Sequence, residues 1–336
     1  MKPPVYLLAS ERSGTNLLRK RLTENQRAYF GGAPAHFLAS LYYREPYYGD
    51  LGDDNCFREL IRDALDLCYV HFSPWDVEFT VEEVLADFTA SGLRRSSVLL
   101  SHFLMQKYAE AKGYESYFCK DNNLYEFVDA LLRDIPGVKF IYLHRDPRDY
   151  ALSQLNRPRV LQDIFRIARL WEYEQNKCIR HLVSLPPERI HRVSYETLIA
   201  DEERVIQDVC GFLGTALEKK AAVEKDNLKV ELHEWKNLDK PTMKDNAGKF
   251  RDKMTPRQLA VVESLCWQPM RYLGYEPVHV TRPSVSLLER ASVSGFAILR
   301  WLLRRFVERK AGTTDERLVK RDRLLRKLEV NYRNSH

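Results

Sequence analysis

Two short stretches of this chain carry the residue types and spacing for chemistry. The first is Glu11-Arg12-Ser13-Gly14-Thr15-Asn16, which follows the apolar run Val5 to Leu8 and precedes a segment with Leu17, Leu18 and Leu22 on one side. A buried strand, a tight turn and a helix start present unpaired backbone N–H groups. The helix dipole adds positive potential, so such a turn can hold an anion. The second stretch, Arg145 to Ser153, follows the apolar run Val138 to Leu143. With Pro147 as the first residue of a helix, Arg145 sits at the C-terminal edge of a sheet, where open α/β sheets bind ligands, and Ser153 lies two helical turns past Pro147. Arginine offers a planar fork to phosphate and serine a hydroxyl. Two anion turns, each at a strand end, imply a ligand with two separated anionic groups. Plainer readings stand beside these: Ser13 or Thr15 capping an ordinary helix, and Asp146 and Asp149 simply capping and pairing.

The first turn lacks the features of a nucleoside triphosphate loop. That motif needs G-x-x-x-x-G-K-[ST], whereas here Ser10 occupies the place of the first glycine, Gly14 stands alone and no lysine follows it. The dinucleotide fingerprint GxGxxG is also missing. The turn therefore reads as a cradle for one compact oxyanion, with Arg12 supplying fixed charge and Ser13, Gly14, Thr15 and Asn16 supplying donors.

The elements that position these stretches alternate along the chain. Strands are expected at Val5–Leu8, near Arg27–Phe30, at Tyr117–Cys119, at Val138–Leu143 and at Arg189–Val193. Residues 37–110 read as helix and loop. Leu124–Arg133 reads as one amphipathic helix stopped by Pro136-Gly137. A helix is expected from Pro147, interrupted near Pro158, then a long one from Val160 to Leu182, with further helices over 201–213 and 255–273. Strands separated by helices predict an α/β fold, a mostly parallel sheet with helices on both faces.

Composition narrows the class. A chain of 336 residues that is 44% hydrophobic can build a sizeable core, and 30% charged residues with a mean hydropathy of -0.45 predict solubility. No apolar run is long enough to span a bilayer, and the first ten residues lack the pattern of a secretory leader. The expected location is cytoplasmic, with peripheral contact at the inner membrane face as an option. Six cysteines without a CxxC pair argue against a zinc cluster or disulfide framework. From Thr281 to His336 there are fourteen Lys and Arg against six Asp and Glu, a net +8, which leaves -2 on the rest. This shift divides the chain into a body, 1–280, and a basic helical extension, 281–336.

Taken together, these blocks resemble the sulfotransferases that use 3′-phosphoadenosine 5′-phosphosulfate (PAPS). The family's 5′-phosphosulfate loop has the form [PK]-[RK]-S-G-T after the first strand, and this chain has ERSGTN, with Glu11 where proline is frequent. The 3′-phosphate segment has an Arg and then a Ser eight residues later, matched by Arg145 and Ser153. A lysine block after a short strand appears as FCKDNN, with Asn122 in place of the family's proline. A Tyr-Glu pair appears in RVSYETL, and a late block in NAGKF. The resemblance covers about residues 4–277. It implies a P-loop NTPase-like sulfotransferase fold, PAPS as co-substrate and no metal. It further implies that Arg12, Ser13, Gly14, Thr15 and Asn16 hold the phosphosulfate, and that Arg145 and Ser153 hold the 3′-phosphate. Tyr195 would lie near the adenine or the 3′-phosphate, Lys249 would close over the nucleotide, and Lys120 would lie near the sulfonyl group. Sulfonyl transfer needs in-line positioning and positive charge on the leaving oxygen, for which Arg12 and Lys120 are the candidates.

The acceptor hydroxyl also needs a base. In the family this is a Glu or a His whose place varies between subfamilies. One such place is Asn122 here. Another falls in YFGGAPAHF, where His36 is the ionisable residue, so His36 is the first candidate, followed by His102 and Glu45. The acceptor is expected to be a small molecule or glycan, with a carbohydrate or glycolipid favoured by the four tyrosines of LYYREPYYGD, which suit ring stacking as well as helix packing. The two basic amphipathic stretches within residues 284–336 suit packing on the body, self-association or contact with an anionic membrane. No nucleic acid is expected. A different class of function also fits: a non-catalytic nucleotide- or sugar-binding protein on the same scaffold, kept open by the departure at Asn122.

Overall fold

The structure is a computed structural model, and it describes residues 2–70, 73–157, 163–218, 242–286, 320 and 323–328. Its frame is one parallel sheet. Strand β1 (Val5–Ala9) leads through a turn into α1 (Thr15–Glu24) and then β2 (Tyr29–Phe30). A helical region follows: α2 (Phe37–Leu41), a 3-10 turn (Tyr42–Tyr48), α3 (Asp54–Tyr69), α4 (Val81–Ala90) and α5 (Ser97–Ala111). Strand β3 (Ser116–Cys119), a 3-10 turn (Leu124–Glu126), α6 (Val128–Asp134), β4 (Lys139–His144), α7 (Pro147–Leu155), α8 (Ile164–Ser184) and β5 (Ile190–Ser194) come next. The last labelled elements are α9 (Tyr195–Ala200), α10 (Glu202–Leu213), α11 (Phe250–Lys253) and α12 (Pro256–Tyr272).

The strand order is β2-β3-β1-β4-β5, every pair parallel. After β1 the chain moves to one side of the sheet, and after β4 it moves to the other. The boundary between β1 and β4 is therefore the topological switch point, where the loops leaving the strand ends part and open a crevice. Those two loops are the ones that begin at Ser10 and at Arg145.

The central strand shows why an uninterrupted apolar run was needed. Tyr6 and Leu8 enter the larger core, with residues from α2 to α8 and α12, while Val5 and Leu7 enter the smaller one, with residues of α1, α9 and α10. Side chains alternate between faces along a strand, so a strand covered on both sides has to be apolar throughout.

Several boundaries differ from the sequence reading. The helix expected over Leu124–Arg133 is two pieces, because Asn123 enters with a left-handed φ of 58° and a 3-10 turn precedes α6. The long helix begins at Ile164, where the Asp163 carboxylate accepts from the amides of Phe165 and Arg166. The expected stretch around Pro158 falls in residues 158–162, outside the described part.

The first amphipathic stretch of the extension, 294–310, also lies outside the described residues. Residues 323–328 are helical, and Leu324 and Leu328 are buried in the larger core. Arg44 Nε donates to the Leu328 carbonyl at 3.1 Å, and Lys327 pairs with Asp63 at 2.9 Å. For these residues the packing option holds. No helix among the described residues is long and apolar enough to cross a membrane.

Candidate active site

The turn after β1 is shaped by two left-handed residues, Arg12 at φ 68° and Gly14 at φ 90°. Glycine adopts that conformation at no steric cost, and Gly14 has a second reason to lack a side chain: a Cβ there would stand 2.4 Å from Cδ2 of Tyr195. No side chain caps α1 and no acidic residue lies in its first turn, so neither Ser13 nor Thr15 plays the capping role open to it. The helix start keeps its free N–H groups and its positive end. Ser13 is fully buried with no hydrogen-bond partner for its hydroxyl, and Asn16 Oδ1 is likewise buried and unpaired.

The turn after β4 meets it. Asp146 caps α7 by accepting from the Arg148 amide, with Pro147 as the first helical residue. Arg145 lies flat over the Tyr195 ring, 4.3 Å from its centre. Its Nη1 donates to the Arg12 carbonyl at 2.9 Å and its Nη2 to the Asn246 carbonyl at 3.1 Å, while its Nε is buried without a partner. Ser153 Oγ accepts from Arg12 Nε at 3.2 Å.

The late loop closes the set. Asn246 Nδ2 donates to the Tyr195 hydroxyl at 2.6 Å, and Lys249 Nζ donates to Asn246 Oδ1 at 2.8 Å. The loop is held down by Asp149, whose carboxylate accepts from the amides of Gly248 at 2.5 Å and Phe250 at 3.0 Å. Asp149 is thus a loop anchor rather than a partner of a neighbouring arginine. Burial pushes its carboxyl up, opposed first by the Gly248 amide. Behind the site, Glu196 accepts from the Asp146 amide at 3.0 Å and from the Tyr275 hydroxyl at 2.8 Å. Asn246 was not singled out from the sequence, Asp149 was read only as a capping or pairing residue, and Glu196 only as the second member of the Tyr-Glu pair. All three lie inside or beside the quoted blocks, but their types are common in loops and caps and carry no signal of their own.

The other wall comes from the turns after β2 and β3. Lys120 makes no hydrogen bond to another described residue, and burial first, then the nearby Arg19 charge, lowers its ammonium to about 8. Arg19 itself reaches from α1 to the Gly31 carbonyl at 2.7 Å. Gly31 packs so closely on α1 that a Cβ there would stand 2.5 Å from Thr23 Oγ1. Asn122 Nδ2 donates to Glu11 Oε1 at 2.7 Å, and Arg157 Nη1 donates to Glu11 Oε2 at 2.6 Å. The departures at Glu11 and Asn122 are therefore partners of each other.

His36 starts α2 with a left-handed φ of 59°. Its Nδ1 accepts the Asn122 backbone N–H at 3.3 Å, so the neutral ring carries its proton on Nε2. Buried Asp121 accepts from the next amide, Phe37 N, at 3.1 Å, which fixes this turn against the end of β3. The other two candidate bases are employed elsewhere. Glu45 accepts from the Ser97 amide and hydroxyl at the start of α5, both at 2.6 Å. His102 Nδ1 bonds the Tyr117 hydroxyl at 2.8 Å, and burial lowers its ring to about 4. None of the tyrosines of residues 42–48 is fully buried: Tyr42, Tyr47 and Tyr48 are half-buried, with Tyr42 edge-on against Phe127 and Tyr48 donating to Asp63 at 2.9 Å, while Tyr43 is 56% exposed. No group of three or more His, Cys, Asp or Glu placed to hold a metal occurs among the described residues.

A family model described as the sulfotransferase family matches residues 3–219. Among solved structures, the sulfotransferase domain from the curacin biosynthetic pathway is 18% identical, with 82% of this chain and 99% of that one covered and a TM-score of 0.56. The sulfotransferase domain from the Synechococcus PCC 7002 olefin synthase is 19% identical, with 82% and 97% covered and the same TM-score. At these identities the likeness is one of fold. No curated protein matches the chain in sequence.

Proposed function

The chain belongs to the sulfotransferase family, and we propose that it transfers a sulfonyl group from PAPS to a hydroxyl of an acceptor by in-line displacement. The observation that carries this reading is the meeting of Arg12, Arg145, Ser153, Tyr195 and Lys249, drawn from four separate parts of the chain, around two buried donors without partners, Ser13 Oγ and Arg145 Nε. A buried polar group left unpaired is costly, so both donors favour an anionic ligand with two separated groups. The nucleotide fits this chemistry: when bound, it supplies an activated sulfonyl group on a phosphate leaving group.

The chain's own residues then have distinct tasks. Arg12, with Ser13, Gly14, Thr15 and Asn16 at the uncapped start of α1, holds the 5′-phosphosulfate and offsets charge growing on the leaving oxygen. Lys120 adds positive charge from the opposite wall. Arg145 and Ser153 hold the 3′-phosphate, Tyr195 flanks it, and Lys249 closes over the nucleotide through Asn246. His36 is the base in this reading. Because the Asn122 amide occupies Nδ1, the acceptor hydroxyl has to displace that long contact and deliver its proton to Nδ1. The acceptor is a small molecule or glycan. Its carbohydrate or glycolipid character rests on the half-buried and exposed tyrosines of residues 42–48, Tyr43 the most exposed of them. In this reading residues 1–280 form the catalytic body and residues 281–336 the extension.

Calorimetric titration with 3′-phosphoadenosine 5′-phosphate (PAP), against AMP and ATP, tests the nucleotide assignment. Binding that needs the 3′-phosphate and falls in Arg145→Ala supports it, and equal binding of AMP would sink it. A second reading, a non-catalytic binder, is favoured by one observation, the engagement of His36 Nδ1 by Asn122. Transfer of the labelled sulfonyl group from PAPS to a hydroxyl acceptor, with PAP as the other product and loss of transfer in Lys120→Met, separates the two.

A further inference from the structure

A carboxyl group that the mechanism above does not use lies beneath the turn after β1. Glu174, on α8, is 4% exposed. Its Oε2 has no hydrogen-bond partner, and its Oε1 lies 3.0 Å from the Tyr125 hydroxyl. That hydroxyl also lies 3.1 Å from Asn123 Oδ1. Tyr125 has one proton and faces two oxygens, both acceptors if Glu174 is ionised. One hydroxyl proton cannot serve both. The arrangement is satisfied if Glu174 is a carboxylic acid: it donates to the Tyr125 oxygen, and Tyr125 donates to Asn123.

The surroundings agree. The groups that act on Glu174 are Ser10 and Glu11 from the turn after β1, Tyr125 from the 3-10 turn, Tyr150 from α7 and Cys178 from its own helix, none of them a cation. The Ser10 hydroxyl, which accepts from Gln175 at 2.6 Å, eases the charge, yet Glu174 Oε2 itself has no hydrogen-bond partner. A buried carboxylate with one oxygen unpaired and no counter-ion is strongly disfavoured, whereas an unpaired carbonyl oxygen of a neutral acid costs much less. Burial, with Glu11 adding to it, pushes the Glu174 carboxyl up to about 7.

We propose that Glu174 is a positioning residue for the turn after β3, held as a neutral acid whose proton lets Tyr125 donate to Asn123. Asn123 is in the left-handed conformation at φ 58°, which asparagine tolerates better than most non-glycine residues and which the Tyr125 hydroxyl bond further fixes. The turn it closes carries Lys120 and Asn122. Loss of the Glu174 proton turns the Tyr125 hydroxyl toward the new carboxylate and leaves Asn123 Oδ1 without its donor, so the turn loosens as pH rises. The inference concerns this chain's own hydrogen bonds and stands or falls apart from sulfonyl transfer.

Two measurements on the full chain test it. Infrared spectra with isotope-labelled glutamate, at about pH 5.5 and about pH 8.5, bracket the expected titration. A carboxylic acid band present at the lower pH, lost at the higher, and missing from Glu174→Gln at both is the expected result. Hydrogen exchange of the amides of residues 120–123, corrected for intrinsic pH dependence, gives the second readout. Wild type is expected to exchange about tenfold faster at the higher pH, Glu174→Gln to stay protected at both because its amide also donates, and Glu174→Ala to exchange fast at both. Absence of the acid band at pH 5.5 would mean that Glu174 is ionised and that the Asn123 amide group is turned to donate to Tyr125, which overturns the proposal. So would equal loosening in the Gln and Ala variants.

Discussion

Arg12 Nε donates to Ser153 Oγ at 3.2 Å, although 141 residues separate the two in the chain. The contact joins the turn after β1 to the helix after β4 across the switch point of the sheet, so the two stretches proposed to hold anions meet. A double-mutant cycle in PAP affinity with Arg12→Ala and Ser153→Ala is expected to show coupling of about 0.5–3 kcal/mol, the range for groups in direct contact. Simple additivity would mean that the two residues act on separate ligands.

Arginine at position 145 should resist conservative replacement. Two of its nitrogens are tied to the carbonyls of Arg12 and Asn246, and it stacks on Tyr195, which leaves Nε for the ligand. A lysine ammonium cannot fill these directions together. Arg145→Lys is expected to weaken PAP binding by roughly tenfold to a hundredfold with AMP binding little changed, as read by calorimetry. Near-normal PAP affinity would contradict the assigned role.

Gly14 combines a φ of 90° with close approach of the Tyr195 ring. Gly14→Ala is expected to lower unfolding free energy by about 1–3 kcal/mol through strain and to abolish PAP binding. Adding Tyr195→Ala removes the clash but not the backbone strain, so the double variant should recover part of the stability and none of the affinity. Denaturant unfolding and calorimetry on wild type and the two variants check this.

Stability should depend on pH through Lys120. Its folded value, about 8, lies below its ordinary 10.5, so between those limits the unfolded chain binds more protons and stability rises with pH. Below about pH 8 the half-buried ammonium costs the fold at most about 3 kcal/mol at 1.36 kcal/mol per pH unit, less where water reaches the side chain. Lys120→Met is therefore expected to be more stable than wild type at pH 7, by about 1–3 kcal/mol, with a flatter profile between pH 8 and 10.5. A destabilised variant would mean that Lys120 is not buried as described.

Truncating the buried part of the extension should be felt in the body. Leu328→Ala removes a side chain that is 2% exposed in the larger core and is expected to cost about 2–4 kcal/mol. PAP affinity should survive, because Leu328 bonds Arg44 and lies on the α2 side. An unchanged unfolding free energy would show that residues 323–328 are not part of the core.

What was legible in the sequence was whatever depends on local pattern. The β1 and β4 runs had to be apolar because both faces of each strand are covered, and turns rich in Arg, Ser and Gly stood out against them. Pro147 and Asp146 marked a helix start by capping chemistry alone. The roles of Asn246 and Asp149 were invisible because they come from partners about fifty and one hundred residues away, Tyr195 and the Gly248–Phe250 amides. Glu11 and Asn122 looked like two separate departures, and only their 2.7 Å contact makes them one. The tyrosine-rich segment stays open to both readings. Its aromatic content suits both packing and recognition, and no periodicity distinguishes a ring that meets Phe127 from one that meets a sugar.

The contacts of residues 323–328 with Arg44 and Asp63 close chain separations of 284 and 264 residues. Closure entropy grows only slowly with length, by about 0.6 kcal/mol per doubling, so such contacts are affordable in the finished fold. They are nonetheless late in the order of assembly, because contacts between distant residues wait for nearer ones to form. Arg44 also donates to the Ser40 carbonyl at 2.6 Å, at the end of the short helix that His36 begins. The short helix that His36 begins is thereby tied, through Arg44, to residues 323–328 at the far end of the chain.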